Sequence, residues 1–167
     1  MTLSQREQLI EANASYADSF TGAGLPSPPA RRFAVITCMD ARLDPARFLG
    51  LAEGDAHVIR NAGGLATGDA IRSLVISHHL LGTEEVFVIT HSDCGMRSFS
   101  NDELRERLRE KTGADAGDLD FGPFSDPAES VRASLRRIRE SPLLPDGYAA
   151  GGFVFDNQTG RLLPVDG

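Results

Sequence analysis

Residues 33–42, Phe33-Ala-Val-Ile-Thr-Cys-Met-Asp-Ala-Arg42, decide the fold. Phe33 to Thr37 is an uninterrupted uncharged run, the pattern of a central parallel strand whose two faces are both covered. Asp44-Pro45 reads as an N-cap and a first helical residue, so Cys38 to Leu43 is a strand-to-helix loop. Open α/β sheets build their sites on such loops. This one carries Cys38, Asp40 and Arg42.

A second apolar run, Val86 to Thr90, ends in His91-Ser-Asp-Cys94-Gly95. Between the two runs, Ala56 to Arg60 reads as a short strand, followed by the turn Asn61-Ala-Gly-Gly64. Thr67 can cap a helix in which Ile71, Leu74, Val75, His78 and Leu81 fall at helical spacing, with Gly82 as its stop. Strand, helix and strand then require a right-handed crossover. If the first and third strands are neighbours, with the second outside the first, both loaded loops flank the crevice where strand order reverses.

Upstream, Ser4-Gln-Arg-Glu7 is a capping box opening a helix with Leu9, Ala12, Tyr16 and Phe20 on one side. Gly22 and a Pro-rich link, Leu25 to Ala30, end it. The narrow apolar face predicts packing on a second subunit. Downstream, Asn101 to Lys111 reads as a helix with Leu104 and Leu108 on one side, and Gly113 to Ser125 as a loop. Asp126-Pro-Ala-Glu129 starts a helix carrying Val131, Leu135 and Ile138 among arginines, stopped before Pro142. Gly152-Phe-Val-Phe-Asp156, the turn Asn157 to Gly160, and Arg161 to Val165 read as a hairpin. The expected architecture is one α/β domain over residues 1–167, with 1–30 as its N-terminal helix and link. It has three layers and a mostly parallel central sheet of about five strands, with an antiparallel C-terminal edge strand.

Composition narrows the function. A net charge of −7 without a Lys/Arg run argues against nucleic acid as a partner. No segment reaches the roughly 18 continuous apolar residues of a membrane span, and the polar N-terminus lacks a signal region. A cytoplasmic location is expected. There a disulfide between the two cysteines is disfavoured, which leaves a metal pair or two idle buried thiols.

Two thiolates and an imidazole suit Zn²⁺, and three protein ligands leave a fourth position for water or substrate. A purely structural zinc commonly takes four closed ligands, and this chain has two cysteines in all. Cys38, His91 and Cys94 are therefore the candidate zinc ligands. Zn²⁺ with two thiolates and a neutral imidazole sums to zero charge, so it acidifies water weakly and needs a helper. Asp40 is placed to accept a hydrogen bond from that water, and Arg42 to keep Asp40 ionised and oriented. Asp40 could instead be the fourth ligand of a closed state, and the Asp40–Arg42 pair could be a plain salt bridge. His57 reads as a hydrogen-bonded core histidine more readily than as a proton shuttle. His78 and His79 do not share a ligand face and read as structural. Asp93 reads as a loop-forming residue ahead of an acceptor role near the metal. The arginines from Arg132 to Arg139 read as a solvated face paired with acids.

Cys38-Met-Asp-Ala-Arg42, Arg60-Asn-Ala-Gly63 and His91-Ser-Asp-Cys94-Gly95 resemble the signatures of β-class carbonic anhydrases, in particular their compact prokaryotic branch. The likeness runs from about Phe33 to Met96 in order and spacing. It implies zinc held by Cys38, His91 and Cys94, an Asp40–Arg42 dyad, and hydration of CO2 to bicarbonate by a zinc-activated hydroxide. It also implies a homodimer or larger oligomer with the site near the interface. No glutamine matches the one that plant-like members use to hold substrate, so the backbone at Gly63 and Gly64 is the candidate substrate contact. The alternatives are hydrolysis of COS or CS2 on the same site, and a noncatalytic zinc or thiol-redox module.

Overall fold

In the computed structural model, which describes residues 3–167, a five-stranded sheet forms the centre. Its strands are β1 (Phe33–Cys38), β2 (His57–Asn61), β3 (Glu85–His91), β4 (Ala149–Phe155) and β5 (Leu162–Pro164), in the spatial order β2-β1-β3-β4-β5. β2, β1, β3 and β4 run parallel, and β5 pairs antiparallel with β4. This is the expected mostly parallel sheet with an antiparallel edge. The helices are α1 (Gln5–Ala17), α2 (Pro45–Leu49), α3 (Gly68–His79), α4 (Asn101–Thr112) and α5 (Pro127–Arg139). No helix among the described residues is long and apolar enough to cross a membrane.

β1 is buried along its whole length because its alternate side chains serve two different layers. Ala34 and Ile36 pack with Leu74 of α3 and with Val131, Leu135 and Ile138 of α5. Phe33 and Val35 face the opposite way, towards Phe48 and Leu49 of α2 and the aromatic side chains of β3 and β4. The Asp44 carboxylate caps α2, and Thr67 caps α3. Gly152 lets α5 lie close on β4, since a Cβ there would stand 2.3 Å from Val131 Cγ1.

Ser4 and Glu7 form the reciprocal cap that opens α1. The helix ends at Ala17, before Gly22, where the Ser19 N–H and hydroxyl both turn back to donate to Tyr16 O. None of its residues is buried, and Leu9 is 70% and Ile10 58% exposed. Its sole described side-chain tie to the sheet domain is Tyr16 Oη donating to the Glu53 carboxylate.

β1 leads out to β2 on one side, and the chain then returns across β1 to β3 on the other. The loops leaving β1 and β3 therefore open side by side at the carboxyl end of the sheet, where strand order reverses. The turn after β2 closes over them. Gly64 sits there at φ +69°, so near β1 that a Cβ would meet Cys38 N and Thr37 C at 2.9 Å.

Candidate metal centre

Cys38 is the last residue of β1, His91 the last of β3, and Cys94 lies three residues further on, before a 3-10 turn at Gly95–Arg97. All three are buried, and their ligand atoms lie within 4.8 Å of one another. The two sulfurs are 4.0 Å apart. That is far beyond a disulfide bond and close to the edge of about 3.8 Å that two thiolates subtend at a tetrahedral centre with Zn–S near 2.3 Å. Met96, Ala62, Phe99 and Phe124 pack around them.

His91 is fully buried, and its Nδ1 lies 3.0 Å from Asn157 Oδ1. Its Nε2 is buried without any hydrogen-bond partner. Such an orphaned nitrogen beside two thiols is costly unless a cation takes its lone pair. The protonation pattern agrees. The Cys94 thiol donates towards Cys38, and this lowers Cys38 while it raises Cys94, to which burial adds. Backbone N–H groups of Asp40 and Gly63 also favour the Cys38 thiolate. Burial opposes an imidazolium at His91, but the Cys38 sulfur and the Asn157 oxygen outweigh it, and the net direction is upward. The pocket is built to hold positive charge. The donor set fits Zn²⁺, and Cys38, His91 and Cys94 are the residues that would hold it.

Asp40 is not part of the close set. Its Oδ1 accepts from Arg42 N at 2.9 Å and Nε at 3.0 Å, while Oδ2 accepts from Nη2 at 2.7 Å. Those bonds hold its carboxyl well below the usual carboxylate range. Oδ2 nevertheless stands 3.8 Å from His91 Nε2, on the metal side of the loop.

Other residues of the site take roles that the sequence reading ranked second or did not assign. Asp93, expected to shape its loop, takes Arg42 Nη1 on Oδ2 at 2.6 Å and Arg42 Nη2 on its carbonyl at 2.7 Å. Arg60, quoted only within a motif, clamps the carbonyls of Cys38 at 3.0 Å and Asp40 at 2.7 Å. Asn157 was read only as a turn residue. Gly63 and Gly64, the expected substrate contacts, lie in the turn that follows β2. Gly63 N–H serves the Cys38 sulfur, and Gly64 fits the turn against β1.

The histidines outside the cluster are structural. His57 bonds Ser77 Oγ at 2.7 Å. It lies four residues before Asn61 on β2, roughly 13 Å from the site end of the sheet at 3.3 Å per residue. His78 bonds Thr83 O at 2.6 Å and His79 bonds Leu143 O at 2.9 Å. On α5, Arg132 and Arg136 pair with Glu129, as expected of a solvated face.

An open α/β sheet with a Cys-His-Cys zinc centre at its switch point and an Asp–Arg pair beside it defines a zinc lyase of the carbonate dehydratase type. The sequence profile of the carbonic anhydrase family matches residues 33–162. β-carbonic anhydrase 1 of Mycobacterium tuberculosis is 47% identical over 161 residues, spanning 95% of this chain and 96% of that protein. The crystal structure of carbonic anhydrase from Streptococcus mutans superimposes with a TM-score of 0.95 at 48% identity, covering 99% of this chain and 100% of that one. A carbon disulfide hydrolase of Acidithiobacillus thiooxidans is 36% identical over 157 residues, spanning 82% of this chain and 78% of that protein. The chain belongs to the β-class carbonic anhydrases.

Proposed function

We propose that the protein hydrates CO2 reversibly to bicarbonate and a proton, with Cys38, His91 and Cys94 holding zinc and with Asp40 and Arg42 acting on the attacking water. The observation that carries this reading is the pairing of an orphaned, buried His91 Nε2 with a carboxylate oxygen 3.8 Å away that is already locked to a guanidinium. When bound, Zn²⁺ supplies the Lewis acidity that makes water a nucleophile near neutral pH.

The rest is done by side chains. Arg42 keeps Asp40 ionised and fixes its plane, so the carboxylate accepts one hydrogen bond from the water and orients it for attack. So strongly ionised a carboxylate is a poor proton store. The released proton therefore passes on to solvent or buffer. Ala62 and Phe124 line both the cysteine pocket and a neighbouring cleft of about 670 Å³ in which apolar side chains such as Leu65 and Phe121 stand beside Asn61, Asp120 and Arg137; its apolar part suits CO2, which offers little to hydrogen-bond.

The same linear-molecule chemistry admits COS or CS2. The similarity to the A. thiooxidans hydrolase, over 78% of that protein's length, makes CS2 the second substrate to test. Turnover of CO2, COS and CS2 by the zinc-loaded protein, followed against pH with parallel zinc analysis, tests the reading. CO2 hydration with about one zinc per chain, lost on chelation and restored by zinc, is the expected result. Full activity after thorough metal removal, or CS2 turnover exceeding CO2 hydration, overturns it.

Residues 1–167 work as one domain, with 1–30 as an arm that packs on a second copy to form a homodimer or larger oligomer. The bare Leu9, Ile10, Tyr16 and Phe20 side chains of that arm support this. Light scattering on the full chain and on a chain lacking residues 1–30 tests it: a monomer in both cases defeats the assignment. Two free thiols in the metal pocket support a cytoplasmic location.

A further inference from the structure

Two consecutive residues at the end of β3 grip one residue of the neighbouring strand's exit. His91 Nδ1 lies 3.0 Å from Asn157 Oδ1, and Ser92 Oγ accepts Asn157 N–H at 3.1 Å. Ser92 N–H extends the ladder to Phe155 O at 2.9 Å. The turn that presents Asn157 is braced in its own right. The Asp156 carboxylate accepts from Gln158 N at 2.8 Å and from Thr159 Oγ1 at 2.7 Å, and Gly160 N–H closes on Asp156 O at 2.8 Å.

A neutral imidazole carries one N–H, and a metal needs the other nitrogen's lone pair. For Nε2 to be the ligand atom, the proton must sit on Nδ1 and have an acceptor there. A carboxamide oxygen provides that acceptor without adding charge. A carboxylate in its place would make an already neutral Zn²⁺-dithiolate-imidazole centre negative and weaken it as a Lewis acid. We propose that Asn157 is a positioning residue of the metal centre. Its oxygen holds His91 in the Nδ1–H tautomer and fixes the ring rotation, so that Nε2 faces the two sulfurs.

The inference rests on the zinc reading of the site, but not on which substrate is turned over. In the zinc-loaded wild-type protein, ¹⁵N-edited NMR of the His91 ring should find the proton on Nδ1. Asn157→Ala should lower zinc affinity about 10–100-fold in chelator competition and alter the absorption spectrum of the Co²⁺-substituted protein. Asn157→Asp should regain most of the zinc affinity but not the full kcat. A His91 proton on Nε2, or a folded Asn157→Ala protein with wild-type zinc affinity and Co²⁺ spectrum, overturns the proposal. If Asn157→Ala does not fold, the wild-type tautomer and Asn157→Asp decide between the two outcomes. Loss of zinc affinity in a protein whose wild type fails to hydrate CO2 would leave this inference standing and sink the activity.

Discussion

Arg42 ties the loop after β1 to the loop after β3: Nη1 donates to Asp93 Oδ2 at 2.6 Å, while Nη2 donates to both Asp40 Oδ2 and the Asp93 carbonyl at 2.7 Å. One guanidinium thus spans both ligand-bearing loops and sets where the Asp40 carboxylate stands. Lysine has no planar fork and cannot make these bonds together.

Arg42→Lys should therefore lower kcat/KM by about 10–100-fold, and Asp93→Ala by a smaller factor, since it removes one bond of the fork and leaves the carbonyl. Arg42 and Asp93 are more than half exposed, so solvent screens their pairing and it adds little to stability. Steady-state kinetics beside thermal melts check this. A melting-temperature loss that tracks the activity loss would mean the fork merely holds the fold.

Asp40→Asn keeps shape but loses the charge that Arg42 orients. Zinc content should stay near one per chain while kcat falls about 10²–10⁴-fold. Unchanged hydration by the Asp40→Asn variant would remove Asp40 from the catalytic step. Lost zinc would instead make Asp40 a ligand.

Two glycines are expected to resist even alanine. Gly64→Ala places a Cβ 2.9 Å from backbone atoms of β1 in a left-handed conformation, so the turn must lift from the metal loop. A destabilisation of about 1–3 kcal/mol with weakened zinc binding is expected. Gly152→Ala meets Val131 Cγ1 at 2.3 Å on the opposite side of the sheet from α2, and should destabilise by a similar amount without touching metal affinity. Chemical denaturation and zinc titration separate the two cases, and equal zinc affinity in both variants would refute the distinction.

Hydrogen bonds from Thr159 and then from Gln158 hold Asp156 below the ordinary carboxylate value of about 3.9. A depressed folded pKa stabilises in full above the unfolded value, and the contribution disappears as pH falls through the folded one. The melting-temperature gap between wild type and Asp156→Ala should hold steady above about pH 5 and close as pH drops below about 4. A gap independent of pH down to about pH 2 would show that the turn does not depend on that charge.

Local signals were read well because they depend on near neighbours. The Phe33–Thr37 run, the Ser4, Asp44, Thr67 and Asp126 caps, and the turn at Asn157–Gly160 each announce themselves within a few residues. Boundaries moved where local competition is weak: α1 stops at Ala17 rather than near Gly22, and β1 runs on to include Cys38. The ligand trio was legible because thiol and imidazole chemistry is rare and specific, so Cys38, His91 and Cys94 identify themselves without any geometry.

What only the tertiary structure decided are the bonds between ordinary polar residues far apart in the chain. Asn157 meets His91 across 66 positions, and Arg42 meets Asp93 across 51. An asparagine in a turn satisfies turn chemistry whether or not a zinc ligand leans on it, and an aspartate in a loop looks the same with or without an arginine. Strand order and register bring those groups within 3.0 Å, and no periodicity in the chain encodes that meeting.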